Sequence, residues 1–184
     1  KVYKFKTHRK KIIADLITPV SVYQKIRDNF PNSILLESSD YGANDNSYAY
    51  ICFNPTSTFK VNKNTVEIIY PDNQIETSKI KKSNSVIDQL NLYKSKFQLE
   101  KSDSKFFENG VIGYMNYDSV QYFENIEFDS KKNNINIPDI FYSLDLQNYN
   151  SYIYHKEYWT YLVYYIATFH DNMFFLDSKI SARW

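Results

Sequence analysis

Three glycines in 184 residues constrain this chain more than any other feature. Glycine supplies left-handed backbone and lets a backbone approach a phosphate closely. With only Gly42, Gly110 and Gly113, a glycine-rich phosphate loop cannot be assembled. The opposite excess is aromatic, with 18 Tyr and 13 Phe. Lys, Asn and Ile are each present 19 times, so the tyrosines read as a coding bias toward AT-rich codons. A platform for stacking bases or sugars needs more than that abundance.

At this length the chain is one domain, or one large piece of a bigger fold, able to remove about 70% of its unfolded surface from water. Hydrophobic residues at 43% and charged residues at 23% are ordinary globular values, which disfavours disorder and a coiled coil. Lys plus Arg (22) nearly cancel Asp plus Glu (21), so neither a duplex-DNA binder nor a polybasic membrane binder is expected. The single Cys52 cannot form an internal disulfide, which points to a reducing, cytoplasmic compartment. Lys1 to Lys11 is basic but lacks the apolar core and cleavage site of a signal peptide. The longest apolar run, Tyr158 to Phe169, is broken by Thr160 and Thr168 and falls short of the roughly 20 residues that span a bilayer. The expectation is a soluble protein with neither nucleic acid nor membrane as a partner.

Along the chain, Val2, Phe5 and Ile12-Ile13 predict an edge strand. Thr18 is placed to cap a helix whose first residue is Pro19, and Val20, Tyr23, Ile26 and Phe30 follow at helical spacing, predicting a helix over Pro19 to Asn29. Ile34-Leu35-Leu36 reads as a buried strand delivering Glu37, Ser38 and Ser39 at its end. Asp40 to Asn46 is loop chemistry. A strand over Ser47 to Asn54 and a hairpin of Phe59–Val61 with Val66–Ile69 follow, and Asp72 to Ser85 shows no pattern. Ser85 to Phe97 reads as a second helix capped by Ser85. Lys101 to Lys105 is a charged linker, and Phe106 to Tyr117 a strand whose glycines permit a close backbone approach. Asp118 can cap a turn over Ser119 to Glu124; Ile126 to Asn136 is polar. Pro138-Asp139 opens a strand over Ile140 to Leu146, and two or three more strands follow from Gln147. Strands dominate and helices are inserted without a βαβ rhythm, which gives an α+β class with an antiparallel sheet.

Little chemistry is visible in composition and spacing alone. His8, His155 and His170 lie far apart with no metal-ligand spacing. Cys52 sits in a strand beside Ile51 and Phe53, where a packed thiol is expected. Glu124 and Glu127 read as solvated carboxylates.

Three segments add a resemblance. Ala14-Asp15-Leu16-Ile17-Thr18-Pro19-Val20-Ser21-Val22-Tyr23 resembles the opening motif of anthranilate synthase component I, the chorismate-using subunit of tryptophan biosynthesis. Leu35-Leu36-Glu37-Ser38 stands where that family carries Leu-Leu-Glu-Ser. Gly110 to Glu124 is similar to the family's Gly-x-x-Gly-Tyr-x-x-Tyr-Asp-x-x-Arg-x-x-Glu run, with Gln121 in place of the arginine, and Ile137-Pro138-Asp139 to its Leu-Pro-Asp. The resemblance covers Ala14 to Val163 and corresponds to the family's amino-terminal region. It implies an amino-terminal domain over 1–163 and a tail, 164–184, without family match, where the family would place a helical segment. An early end, as after a frameshift, is the accompanying expectation.

For function, the resemblance implies the tryptophan-feedback region of an enzyme that converts chorismate and ammonia to anthranilate and pyruvate. The chorismate- and magnesium-holding part has no counterpart here, so the chain is expected to be inert alone, with no catalytic residue, metal or cofactor of its own. The implied L-tryptophan wall is Leu36, Glu37, Ser38 and Tyr48. Glu37 would accept from the ligand ammonium and Ser38 would hydrogen-bond its backbone groups. Ser47 and Ala49 depart from the family pattern beside Tyr48, and the family pocket is completed by a segment of the catalytic half. The implied partners are that half and a glutamine amidotransferase subunit, component II. Alternatives are a stand-alone tryptophan-binding module, a truncated remnant, or a piece of aminodeoxychorismate synthase. Tyr114, Tyr117 and Tyr122 read as packing aromatics.

Overall fold

The computed structural model describes residues 1–13, 17–37, 47–99, 110–126, 137–144, 147–153 and 161–169, with backbone alone for 7–13, 47–48, 99, 147–153 and 161–169. The chain divides into two compact units. One comprises Lys1–Val2, Pro55–Phe97 and Asn109–Asp145; the other comprises Tyr3–Asn54, Gln98–Glu108 and Leu146–Trp184.

The second of these units is built on a six-stranded sheet of β1 (Tyr3–Ile13), β2 (Ile34–Glu37), β3 (Ser47–Cys52), β7 (Phe97–Leu99), β10 (Gln147–Ile153) and β11 (Tyr161–Phe169), in the order β2-β3-β10-β11-β1-β7. β2–β3, β3–β10, β10–β11 and β11–β1 pair antiparallel. Helix α1 (Pro19–Arg27) begins as its residues dictate. The Thr18 hydroxyl accepts from the Ser21 N–H, the Ser21 hydroxyl accepts from the Thr18 N–H, and Pro19 occupies the first turn where no N–H is needed. Lys25 and Arg27 lie in the last turn, where the helix dipole favours cations. Val22 and Ile26 point inward onto Ile51 and Phe53, with Ile17, Tyr23, Phe30 and Leu35 closing the cluster. Phe30 and Phe53 meet with ring centroids 4.9 Å apart. Each such large apolar side chain contributes about 1.5–3 kcal/mol by leaving water.

The other unit holds a five-stranded antiparallel sheet of β4 (Ser57–Asn62), β5 (Thr65–Ile69), β6 (Ile75–Lys79), β8 (Val111–Met115) and β9 (Ile140–Leu144), in the order β6-β5-β4-β9-β8. Burial alternates along β4 and β5, and Phe59, Val61 and Val66 are wholly buried. Lys63 and Asn64 turn the hairpin with φ of 47° and 63°, the left-handed pair that a two-residue turn requires. In a chain short of glycine, Asn carries much of that work: Asn32, Asn54 and Asn73 also have positive φ.

Helix α2 (Val86–Ser95) starts at a reciprocal cap between Ser85 and Asp88. It buries Val86, Gln89 and Tyr93. The Tyr93 ring packs 5.5 Å from Phe59 and 4.9 Å from Phe97. Its hydroxyl donates to Ser57 Oγ at 3.0 Å, and Ser57 in turn donates to the Ile69 carbonyl at 2.6 Å, so a buried phenol is left with no orphaned group.

Several expectations need correction. The α+β antiparallel class stands, but β1 is no edge strand: it lies between β11 and β7, because its residues have ladder partners on a strand far along the sequence. Asp72 to Ser85 contains β6, which the pattern missed because all but one of its residues are exposed and it carries no alternation of its own; β5 supplies the ladder. Asn116, not Asp118, caps the helical turn, which is a 3-10 helix over Tyr117–Tyr122. Both residues can cap, and the Asn116 side chain is the one that accepts from the Ser119 N–H, at 2.8 Å. β11 runs to Phe169, so no helix begins at Ile166. The expected segments at 101–105 and 127–136 lie outside the described residues.

The foreseen close approach is at Gly113, opposite Tyr142. A Cβ there would stand 1.9 Å from the Phe141 carbonyl oxygen. Gly113→Ala must therefore spread β8 from β9, and a loss of about 3 kcal/mol in a denaturant melt is expected. A pH-dependent term sits at Tyr70, Glu76 and Lys96. Tyr70 donates to Glu76 at 2.7 Å, and Lys96 reaches Glu76 at 3.1 Å. The Tyr70 bond first, then Lys96, hold the Glu76 carboxyl below its ordinary range. A lowered carboxylate pKa adds stability above the ordinary range that is lost as pH falls through the folded value. Glu76 is half exposed, so Glu76→Gln should cost less than about 1 kcal/mol at neutral pH, and thermal melts of the two proteins should converge in acid.

Candidate functional site

β2 is the edge of the six-stranded sheet, and the residues singled out in the sequence gather there and on its neighbour β3. Leu35 pairs with Ile51, Leu36 with Tyr50 and Glu37 with Ala49. Because paired residues share a face, Leu35, Glu37, Ala49 and Ile51 lie on the face against which α1 packs. Leu36 and Tyr50 lie on the opposite face. Tyr48 pairs with Tyr152, and register parity places it on the face of Tyr50.

Leu36 is 45% exposed, which corrects the reading of Ile34-Leu35-Leu36 as a buried strand. Only Leu35 packs against the α1 cluster; a run of apolar residues does not reveal that its strand will be an edge. Glu37 is exposed at the strand end. Ser38 lies outside the described residues; Leu36 pairs with Tyr50, two residues along β3 from Tyr48, and Glu37 lies on the other face. Tyr23 steadies the approach to the strand by donating its hydroxyl to the Ser33 carbonyl at 3.2 Å. Chemically, the edge offers an apolar side chain beside a half-buried tyrosine, with one carboxylate at its end.

A second cluster was not foreseen. The Asp139 carboxylate accepts the Tyr122 hydroxyl at 2.6 Å, the Asn116 side-chain amide at 3.2 Å and the Lys63 backbone N–H at 3.2 Å. The Asn64 N–H reaches the same Tyr122 oxygen at 3.4 Å. Backbone bonds frame it: Asn116 N–H to the Asp139 carbonyl and Asp139 N–H to the Val61 carbonyl, both 2.8 Å. Thus the Pro138-Asp139 match and the Gly110–Glu124 run meet at one carboxylate. The signal was present as motif residues, but nothing in one sequence shows that Lys63-Asn64 turns toward them.

Burial first, then the bond to Asp139, push the Tyr122 hydroxyl far above the ordinary tyrosine range. Of the three tyrosines read as packing, Tyr122 is a hydrogen-bonding group and Tyr117 is 84% exposed. Tyr114 does lean on Phe141, with centroids 6.0 Å apart. Cys52 is buried, as a packed thiol should be. Among the described residues no group of three or more His, Cys, Asp or Glu could hold a metal, and no helix is long and apolar enough to cross a membrane.

Tyr122→Phe should lower stability by about 1–2 kcal/mol at neutral pH, since it leaves an Asp139 oxygen short of a donor. A raised tyrosine pKa makes that contribution present below the ordinary tyrosine value and lost as pH climbs toward the folded one. The gap between wild type and variant in denaturant melts should therefore narrow in alkali.

No protein-family model matches the chain. Curated proteins do. Anthranilate synthase component 1 of Thermus thermophilus is 29% identical over 142 residues, covering 76% of this chain and 28% of that protein. The Lactococcus lactis protein of the same name is 29% identical over 142 residues, covering 73% and 27%. That of Pseudomonas putida is 27% identical over 130 residues, covering 70% and 26%. The chain thus spans about a quarter of the length of the relatives it matches. It is related, over some seven-tenths of its own length, to anthranilate synthase component 1.

Proposed function

We propose that this chain is the amino-terminal, tryptophan-responsive region of an anthranilate synthase component I, the enzyme that makes anthranilate and pyruvate from chorismate with ammonia drawn from glutamine. The likeness to several component 1 proteins carries the reading. The exposed sheet edge bearing Leu36 and Glu37 supports it. A free amino acid needs a carboxylate for its ammonium, donors for its carboxylate and an apolar slot for its indole. The Ser38 hydroxyl and Leu36 with Tyr48 are assigned the last two roles, and Glu37, at the strand end on the opposite face, serves the ammonium around the strand edge.

Turnover belongs to the catalytic part of the enzyme, with a glutamine amidotransferase subunit as the ammonia source. Magnesium belongs there too. The chain by itself should give no anthranilate fluorescence with chorismate, magnesium and ammonium salts. Calorimetry should show L-tryptophan binding to the chain that Ser38→Leu abolishes. Clear turnover by the chain would refute its inertness. Tryptophan binding indifferent to Ser38→Leu would remove Ser38 from the site, and tryptophan inhibition of the whole enzyme indifferent to Leu36, Glu37, Ser38 and Tyr48 substitutions would defeat the assignment of the pocket wall to this chain.

A further inference from the structure

We draw no further inference here: the strongest candidate, the apolar surface patch of Tyr114 and Met115 at the end of β8 with Tyr117 on the 3-10 helix that follows, carries nothing because nothing in the structure shows what covers it.

Discussion

The carboxylate of Asp139 gathers three separated stretches of its unit. Its donors come from Lys63, Asn116 and Tyr122, so the β4–β5 turn, the end of β8 and the 3-10 helix are referred to the first turn of chain before β9. Each bond is ordinary, with a net worth of about 1 kcal/mol. Their convergence matters more, because a carboxylate stripped of donors in a half-buried site keeps its desolvation cost. Gly113 completes the arrangement from the other side of β9 by letting β8 approach to backbone contact. Register at this end of the sheet is thus held by a missing methyl and one carboxylate together with the wholly buried Val61 and Ile140.

Much of the architecture was legible because local chemistry announced it. Thr18 before Pro19 and Ser85 before Asp88 are helix starts with a mechanism, and both reciprocal caps form. The apolar alternation of Phe59–Val61 and Val66–Ile68 named its own hairpin. What stayed hidden depends on partners elsewhere in the chain. β6 has no pattern because it is a mostly exposed edge. β1 could not be told from an edge because its partner β11 lies at the far end of the described chain. Asn116 and Asp118 are equally good caps in sequence, and only the backbone path chose between them.

The candidate site divides in the same way. The motif residues Leu36 and Glu37 were found by resemblance; any strand sets neighbours on opposite faces, but which of the two lies on the α1 side follows from a register that no motif contains. Ser38 lies beyond the described strand. The Asp139 cluster shows the converse. Asp139, Tyr122 and Asn116 were already within matched segments, but what joins them to Lys63 and Asn64 is tertiary. A resemblance therefore located the segments, and the structure supplied the reasons that they hold together.

The pairing of β1 with β11 bears on the order in which the molecule can assemble. Phe5 meets Phe169 and Ile13 meets Tyr161, so β1 waits for nearly the whole described chain before finding this neighbour. The β4-β5-β6 meander needs only adjacent residues. Closing long loops costs more chain entropy than closing short ones, and non-local sheets form slowly. Synthesis thus leaves a basic, apolar strand waiting while the meander is already folded, and the nascent chain depends on whatever shelters that strand until its last partner emerges.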